Sequence, residues 1–403
     1  MKSKSFVGDT LQFGIMVLTI GAIIRLGASI YLPALPFIGK EFHASESMMS
    51  QTLSVYFLVF ALCTLVAGPL SDTLGRKIIL QSGMVFFMLG SVLCALSSQY
   101  EVLLVGRIIQ AFGASMIPGT LMAMIRDAAS DTRVVVLTGW LAVLSGLLLV
   151  AAPLVGGVLT HYLGWSSNFW FLVLFSFLVW IVSLFTLPET LPAEARLPLS
   201  VSSTFRRLWA MISSAEFAVV LLPVIAFFAI QGAFLAAAPY VIMEKYGFTP
   251  AQFGLSNIVI VVGIFSGRSI GTHIFKKKSA PVVYRIGGAL CFLLFLLFVG
   301  MGLGLFDNVF LFLAIIGFFA TLYGMLSPIG LKSSLTAFRT SAGTAAALQG
   351  ACLLGSSALG SAVTGLLVNS PLSSNIYTAF ALVSATFSFI AAFAALRSRH
   401  RLQ

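Results

Sequence analysis

Twelve apolar runs, each close to twenty residues long, constrain this chain more than anything else in it. Coiled as a helix, a run of that length crosses the ~30 Å of hydrocarbon in a bilayer. Inside hydrocarbon only helices and closed barrels satisfy their own backbone groups. The runs are continuous rather than alternating in polarity, which excludes a barrel. Charged residues make up 9% of the 403 residues and hydrophobic ones 59%, whereas a soluble protein carries about 25% charged residues. The chain therefore reads as an all-α integral membrane protein with twelve transmembrane helices.

The runs predict spans at 11–34, 47–70, 78–98, 101–125, 134–160, 165–187, 217–242, 250–274, 282–304, 307–330, 341–367 and 374–396. The longest polar interruption, Pro188 to Glu216, falls between the sixth and seventh. It divides the chain into a six-helix bundle over 1–187, a linker with a short surface helix over 188–216, and a second six-helix bundle over 217–403. Six plus six about a central linker is the plan of a duplicated transporter that rocks around a midplane site. Lys2 and Lys4 precede an apolar stretch, as in a signal peptide. That stretch is too long, and no small-residue cleavage site follows it, so it reads as a retained first span.

The formal charge is +11, but the bases lie in short loops and tails rather than on one basic face, which argues against nucleic acid. Eighteen fall on one side, from Lys2, Lys4, Arg76 and Lys77 through Arg126, Arg133 and Lys276 to Arg339, Arg397, Arg399 and Arg401; only Lys40 and Lys245 fall on the other. That asymmetry predicts both termini in the cytoplasm. Three bases, Arg25, Arg107 and Arg268, lie within spans, while every acid fits a loop, a tail or a helix end. Cys63, Cys94, Cys291 and Cys352 lie in apolar runs and read as thiols without a disulfide. A phosphate loop, a His/Cys ligand cluster and a carboxylate pair at membrane depth are all missing from the sequence, which argues against a pump or a membrane enzyme. Nothing resembles a channel filter. No cofactor and no metal are expected, and none of His43, His161, His273 and His400 is placed as a central proton relay.

The densest polar stretch is Gly68 to Lys77, GPLSDTLGRK, read as a short hinge between the second and third spans. Asp72 can face a helix N-terminus or pair with Arg76, and Gly68 and Gly75 permit close helix contact and a tight turn. The stretch resembles the signature loop of the major facilitator superfamily, G-x-L-[AS]-D-x-x-G-R-K. That resemblance implies the twelve-helix facilitator fold and a conformational latch formed by Gly68, Asp72, Gly75, Arg76 and Lys77. The corresponding turn of the second half, Gly267 to Lys278, keeps glycines and bases without the acid.

Further stretches extend the resemblance. GRIIQAFGAS in the fourth span matches an intramembrane arginine followed three residues on by glutamine, here Arg107 and Gln110. A charge there costs ~2.5–3.5 kcal/mol on insertion scales and should face a polar cavity; the competing reading is a structural arginine bonded to carbonyls. GLLLVAAPLVGG in the fifth span is similar to an antiporter motif and points to Pro153, Gly156 and Gly157. Tyr31 and its Leu-Pro run, MIRDAAS after the fourth span, and SAGTAAALQG in the eleventh resemble the Bcr/CflA drug-efflux transporters.

One departure shifts the expected substrate. Members of that family carry an acid directly before the hydrophobic-Tyr-Leu-Pro run, where this chain has Ser29, with Arg25 one turn earlier. With Arg25 and Arg107 inside and no acid opposite, the cavity should be positive and favour an anion. Snorkelling of Arg25 to the outer interface is the alternative. Gln231, Asn257 and Gln349 are candidate hydrogen-bonders and Tyr56 a candidate lining residue; helix–helix packing explains each equally well. The expectation is thus a monomeric efflux transporter of a bacterial inner membrane. It would export small drugs or metabolites, anionic or zwitterionic such as a carboxylate siderophore, with proton linkage implied by the resemblance. An importer of organic acids or iron chelates with the same fold is the alternative.

Overall fold

The computed structural model describes residues 10–196, 201–305, 307–336, 342–368, 370–373 and 375–398. Lys2, Lys4, Arg339, Arg399, His400 and Arg401 lie outside them. Among the described residues, twelve helices are long and apolar enough to cross a membrane. They are α1 (Leu11–Glu41), α2 (Glu46–Leu74), α3 (Arg76–Ala95), α4 (Tyr100–Ala128), α5 (Asp131–Leu163) and α6 (Ser166–Thr186), followed by α7 (Leu221–Lys245), α8 (Pro250–Lys277), α9 (Pro281–Gly302), α10 (Val309–Ser334), α11 (Thr344–Val368) and α12 (Ile376–Arg397). An amphipathic linker helix, Val201–Ile212, lies between α6 and α7.

Local chemistry sets the ends and the breaks. Ser45 starts α2 by accepting from the Met48 N–H at 3.2 Å. Thr249 and Gln252 form a reciprocal capping box with Pro250 at the first position of α8. Several spans bend where proline removes a backbone donor. In α1 the bend is a 3₁₀ turn, Leu32–Ala34, after which helix resumes to Glu41, so the first span runs past its expected end. In α7, the repeat counterpart, Pro239 gives way to a π turn, Tyr240–Lys245. The helix of α4 breaks at Met116 before Pro118, and that of α8 at Asn257.

The Gly68–Lys77 stretch is not the open polar turn its composition suggests. Helix continues through Gly68, Pro69 and Asp72 to Leu74, and Arg76 already begins α3. Gly75 alone is non-helical, at φ 109°, a value that favours a residue without Cβ. The reason is that α2 and α3 meet end to end, and one strained residue makes the whole reversal.

Packing repeats with the sequence plan. In the first six helices α1 packs on α5 and α6, α2 on α4, and α3 on α4 and α6. Adding six to each number gives main contacts of the second set: α7 on α11 and α12, α8 on α10, and α9 on α10 and α12. Between the sets, the main contacts are α2 with α11 and α5 with α8, a couple that the same shift exchanges. The helices therefore form two six-helix bundles related as repeats. In lipid, helices associate by close van der Waals packing rather than by escape from water, which favours small residues at crossings. At Gly156 a Cβ would lie 1.7 Å from the Ile30 carbonyl oxygen, and at Gly360 1.9 Å from that of Ala229. These are the equivalent crossings α5/α1 and α11/α7.

Gly156→Ala should therefore force the backbones apart and cost about 1–3 kcal/mol of overpacking. Gly139→Ala, on the same helix with nothing within 4 Å, should be neutral or stabilising. Thermal unfolding of the two detergent-purified variants compares them directly, and equal melting temperatures would refute the crossing.

Candidate functional site

On the half of the molecule away from Gly75 the bundles touch, and on the half carrying Gly75, the hinge face, a cavity lies between them. Along the contacting half, the Ser361 hydroxyl of α11 donates to the Ser50 carbonyl of α2 at 3.0 Å. At Gly157 a Cβ would lie 2.4 Å from the Pro250 oxygen, so α5 and α8 meet backbone to backbone there. Lys40 and Glu244 bridge the ends of α1 and α7 at 2.8 Å, and the Trp165 indole N–H donates to Glu41 at 2.6 Å. Toward the hinge face α2 and α11 diverge around a cavity of about 780 Å³.

Its walls come from α1, α2, α4, α5, α7 and α11 and from Arg76 at the start of α3, with Leu208 of the linker helix among them. Gly21, Ile24, Arg25 and Ala28 line it from α1; spaced i, i+3, i+4, i+7, they form one helical face. Arg25 thus faces the cavity, where it is exposed. Tyr56, Phe57 and Phe60 form an aromatic wall, while Thr64, Ser145 and Thr344 add hydroxyls.

The charges on this surface are uneven. Arg25, Arg76 and Arg126 line it with a single acid, Asp72. Asp72 pairs with Arg76, which also reaches Asp127 at 3.2 Å. Among the described residues no carboxylate lies within ion-pair distance of Arg25 or Arg126. Arg126 counted in the sequence as a loop base and as part of the MIRDAAS resemblance, not as a cavity residue. Its register with Pro118, Gly119, Met122 and Ala123, which share the lining, is the signal that would have found it.

Arg107 corrects the expectation of a cavity-facing cation. It is fully buried, wedged between two aromatic rings, with its guanidinium carbon 4.2 Å from the Tyr31 centroid and 4.0 Å from that of Tyr56. It donates to the Gly27 carbonyl at 3.0 Å and, more closely, to Gln110. Gln110 in turn donates to the Ser91 hydroxyl at 2.7 Å. Tyr56 separates this buried cluster from the cavity, since it lines the one and covers the other.

The remaining candidates scatter. Ser29 and Tyr31 are buried and do not line the cavity. Asn257 donates to the Phe253 carbonyl at 3.0 Å across its own helix break. Gln349 donates to the Leu331 carbonyl at 3.0 Å and to Ser334 at 2.7 Å, joining α11 to α10. Gln231 is half-buried and outside the lining. Of the nine residues expected to touch substrate or couple, Arg25 and Tyr56 line this cavity.

Of the residues expected to form a latch, Asp72, Gly75, Arg76 and Lys77 come together, whereas Gly68 has nothing within 4 Å of where a Cβ would stand and makes no close helix contact. Arg76 joins Asp72, Asp127 and the Ser71 hydroxyl, the last at 2.7 Å. Glu189, read only as part of the linker, sits at the first turn of α3 and accepts from the N–H groups of Arg76 at 3.0 Å and Lys77 at 3.2 Å. A carboxylate there satisfies unpaired helix donors and complements the positive helix end. A Cβ at Gly75 would meet Glu189 at 2.5 Å, so the glycine serves both the turn and this cap. Lys77 extends to the Leu184 carbonyl at 2.9 Å, tying α3 to α6. Only the Pro-Glu-Thr beginning of the linker hinted at Glu189.

The model of the Major Facilitator Superfamily matches residues 17–302. The chain is 28% identical over 259 residues to "Uncharacterized MFS-type transporter YdgK" of Bacillus subtilis (strain 168), covering 63% of this chain and 64% of that one. To "Multidrug resistance protein MdtL" of Citrobacter koseri it is 27% identical over 257 residues, covering 63% of this chain and 65% of the relative. The matches thus span just under two thirds of these relatives' own length. Among solved structures, a D-xylose-proton symporter superposes with a TM-score of 0.73 at 15% identity, over 95% of this chain and 96% of its own. That likeness shows the fold.

Asp72→Asn removes the charge that steadies Arg76 while leaving both helices their packing. Transport in vesicles at matched expression should fall several-fold with unchanged folded yield. Transport equal to the parent would exclude the pair from the conformational cycle.

Proposed function

We propose, from the premise that this chain belongs to the Major Facilitator Superfamily, that it is a secondary-active exporter of small anionic or zwitterionic organic molecules. A carboxylate siderophore is the kind of substrate meant. It would work as a monomer in a bacterial inner membrane, with both termini and the hinge face in the cytoplasm. The observation that carries the substrate sign is Arg25, a cavity-facing cation with no protein carboxylate in ion-pair reach among the described residues. A cation held at membrane depth is costly unless a counter-charge or water attends it, and a carboxylate ligand supplies the first. Export is supported by the multidrug-resistance name of one relative and by the Gly156–Gly157 pair that lets α5 close against α1 and α8 on the outer side.

On this reading the cavity is the cytoplasm-open state. A substrate anion enters past Arg126 and Asp72, exchanges part of its hydration for the guanidinium of Arg25, and lays its apolar part against Tyr56, Phe57 and Phe60. Its charge lowers the cost of enclosing Arg25, so the occupied protein can close the hinge face more readily than the empty one. Opening the far side then requires the Lys40–Glu244 bridge and the α5/α8 and α2/α11 contacts to part. Proton linkage, implied by family likeness, would fall on a carboxylate of these gates. Glu244 on the outer side and Asp127 on the inner are the candidates, because protonating either weakens the ion pair that holds its gate.

Everted membrane vesicles loaded through this cavity test the reading. Arg25→Gln should raise the KM for citrate uptake about tenfold or more, the loss expected for one charge-assisted contact, with the maximal rate changed less. A substrate profile identical to the parent's would overturn the assignment.

A further inference from the structure

At the end of the molecule away from Gly75, acids from both bundles meet. Lys40 of α1 and Glu244 of α7 form their bridge there at 2.8 Å. Glu46, the first residue of α2, lies within electrostatic reach of Glu244, so two carboxylates from opposite bundles face each other across the interface. Glu46 is half-buried, and among the described residues no base lies within ion-pair distance of it.

Tyr240, one turn before Glu244 on α7, completes the group. Its side chain is 5% exposed, and its hydroxyl has no hydrogen-bond partner among the described residues. A Cβ on Gly39 would lie 3.6 Å from that hydroxyl, so α7 reaches into the turn between α1 and α2. Glu46 and Glu244 both lie within electrostatic reach of the Tyr240 ring. Two carboxylates can only accept hydrogen bonds, and in one site they repel. A protonated carboxyl beside an ionised one donates to it and still accepts from a hydroxyl. Glu244 holds its charge through Lys40, which leaves Glu46 as the acid that takes the proton.

The other titratable groups at this end are accounted for. Glu41 accepts from the Trp165 indole at 2.6 Å, and Lys245 pairs with Asp307 at 2.8 Å. Tyr31 shares a hydrogen bond with Thr52 at 3.3 Å, and Tyr100 of α4 donates to Gln51 at 3.0 Å. His43 and Glu101 are exposed, and the adjoining stretch of α11, Ser361 to Val368, carries no charge.

We propose that Glu46 is a proton-binding group of the gate at this end. Closing the gate sets Glu46 beside Glu244 and takes up one proton from water; parting the bundles returns Glu46 to solvent and releases it. Acid therefore favours the closed gate. Protonating Glu244 would act with the opposite sign, because it would break the Lys40 bridge. The place of this step in a transport cycle rests on the alternating-access function proposed above, whereas the linkage itself operates without substrate.

Double electron–electron resonance on the full chain in nanodiscs, with no substrate added, reads the gate. Spin labels go on Ser98→Cys in the α3–α4 turn and Leu303→Cys after α9, both exposed, with Cys63, Cys94, Cys291 and Cys352 replaced by alanine. From about pH 8 to about pH 5 the ratio of short to long distances in this parent should rise about tenfold, which corresponds to a one-unit difference in proton affinity between the two states. Glu46→Gln should show the parent's acid ratio at every pH, while Glu46→Asp and His43→Gln should keep the response. A flat parent profile, a response that survives Glu46→Gln, or a response lost in His43→Gln would overturn the proposal. A ratio that falls with acid would also overturn it and place the proton on Glu244. The sign of the substrate is decided separately by the citrate measurements, so failure of either proposal is distinguishable from failure of the other.

Discussion

A guanidinium inside a membrane helix must find partners or water, and the two intramembrane arginines of the first bundle meet that demand in opposite ways. Arg107 is enclosed by protein, with hydrogen bonds from one of its nitrogens while Nε and the other Nη have none. Two tyrosine rings, a backbone carbonyl and Gln110 surround it, and a desolvated cation–π contact contributes about 2 kcal/mol, comparable to the ~2.5–3.5 kcal/mol cost of placing the charge there. Among the described residues Arg25 has no carboxylate within ion-pair distance, and it opens onto the cavity. The first arginine packs in the bundle interior; the second is the one proposed to set what the cavity holds. Tyr56 stands between them, stacking on Arg107 and lining the cavity that Arg25 shares.

The cavity exists because closeness and separation are distributed unequally along the same helices. α2 with α11 and α5 with α8 are the main contacts between the bundles. Both are tight at the end away from Gly75, where Ser50, Ser361, Gly157 and Pro250 allow close approach. Toward the hinge face the cavity lies between them, with Leu65 of α2 still packed against the second bundle. The hinge is correspondingly rich in charge: Arg76 gathers Asp72 and Asp127, and Glu189 brings the linker to the start of α3. On the contacting half the bundles close through small residues and the Lys40–Glu244 bridge, whereas the ion pairs of the hinge lie within the first bundle and its linker.

Membrane class, helix number and the six-plus-six plan were legible because hydrocarbon thickness and backbone satisfaction leave few alternatives. The repeat was legible in the linker position and is visible again in the matching contacts of the two bundles. Side-chain destinations were less so. Arg25 and Arg107 look alike in an apolar run, and only the positions of Tyr31 and Tyr56, brought in from other turns and helices, decide which is enclosed. Gln349 and Asn257 are equally polar, yet each spends its donor on a nearby carbonyl. Glu189 lay 113 residues from the backbone donor it caps at Arg76, a distance over which local pattern carries no information. The hinge was overread as loop, since polar residues near a helix end say little about where the helix stops.

The central claim is that an unpaired cation, not a carboxylate, sets the sign of what the cavity accepts. Equilibrium binding to the purified protein, with citrate and tetraphenylphosphonium as probes at one ionic strength, tests it most directly. The account predicts that citrate binds, more weakly as salt screens Arg25, and that tetraphenylphosphonium does not compete with it. Tight binding of tetraphenylphosphonium with none of citrate would contradict it, and would mean that Asp72 or another acid governs the cavity instead.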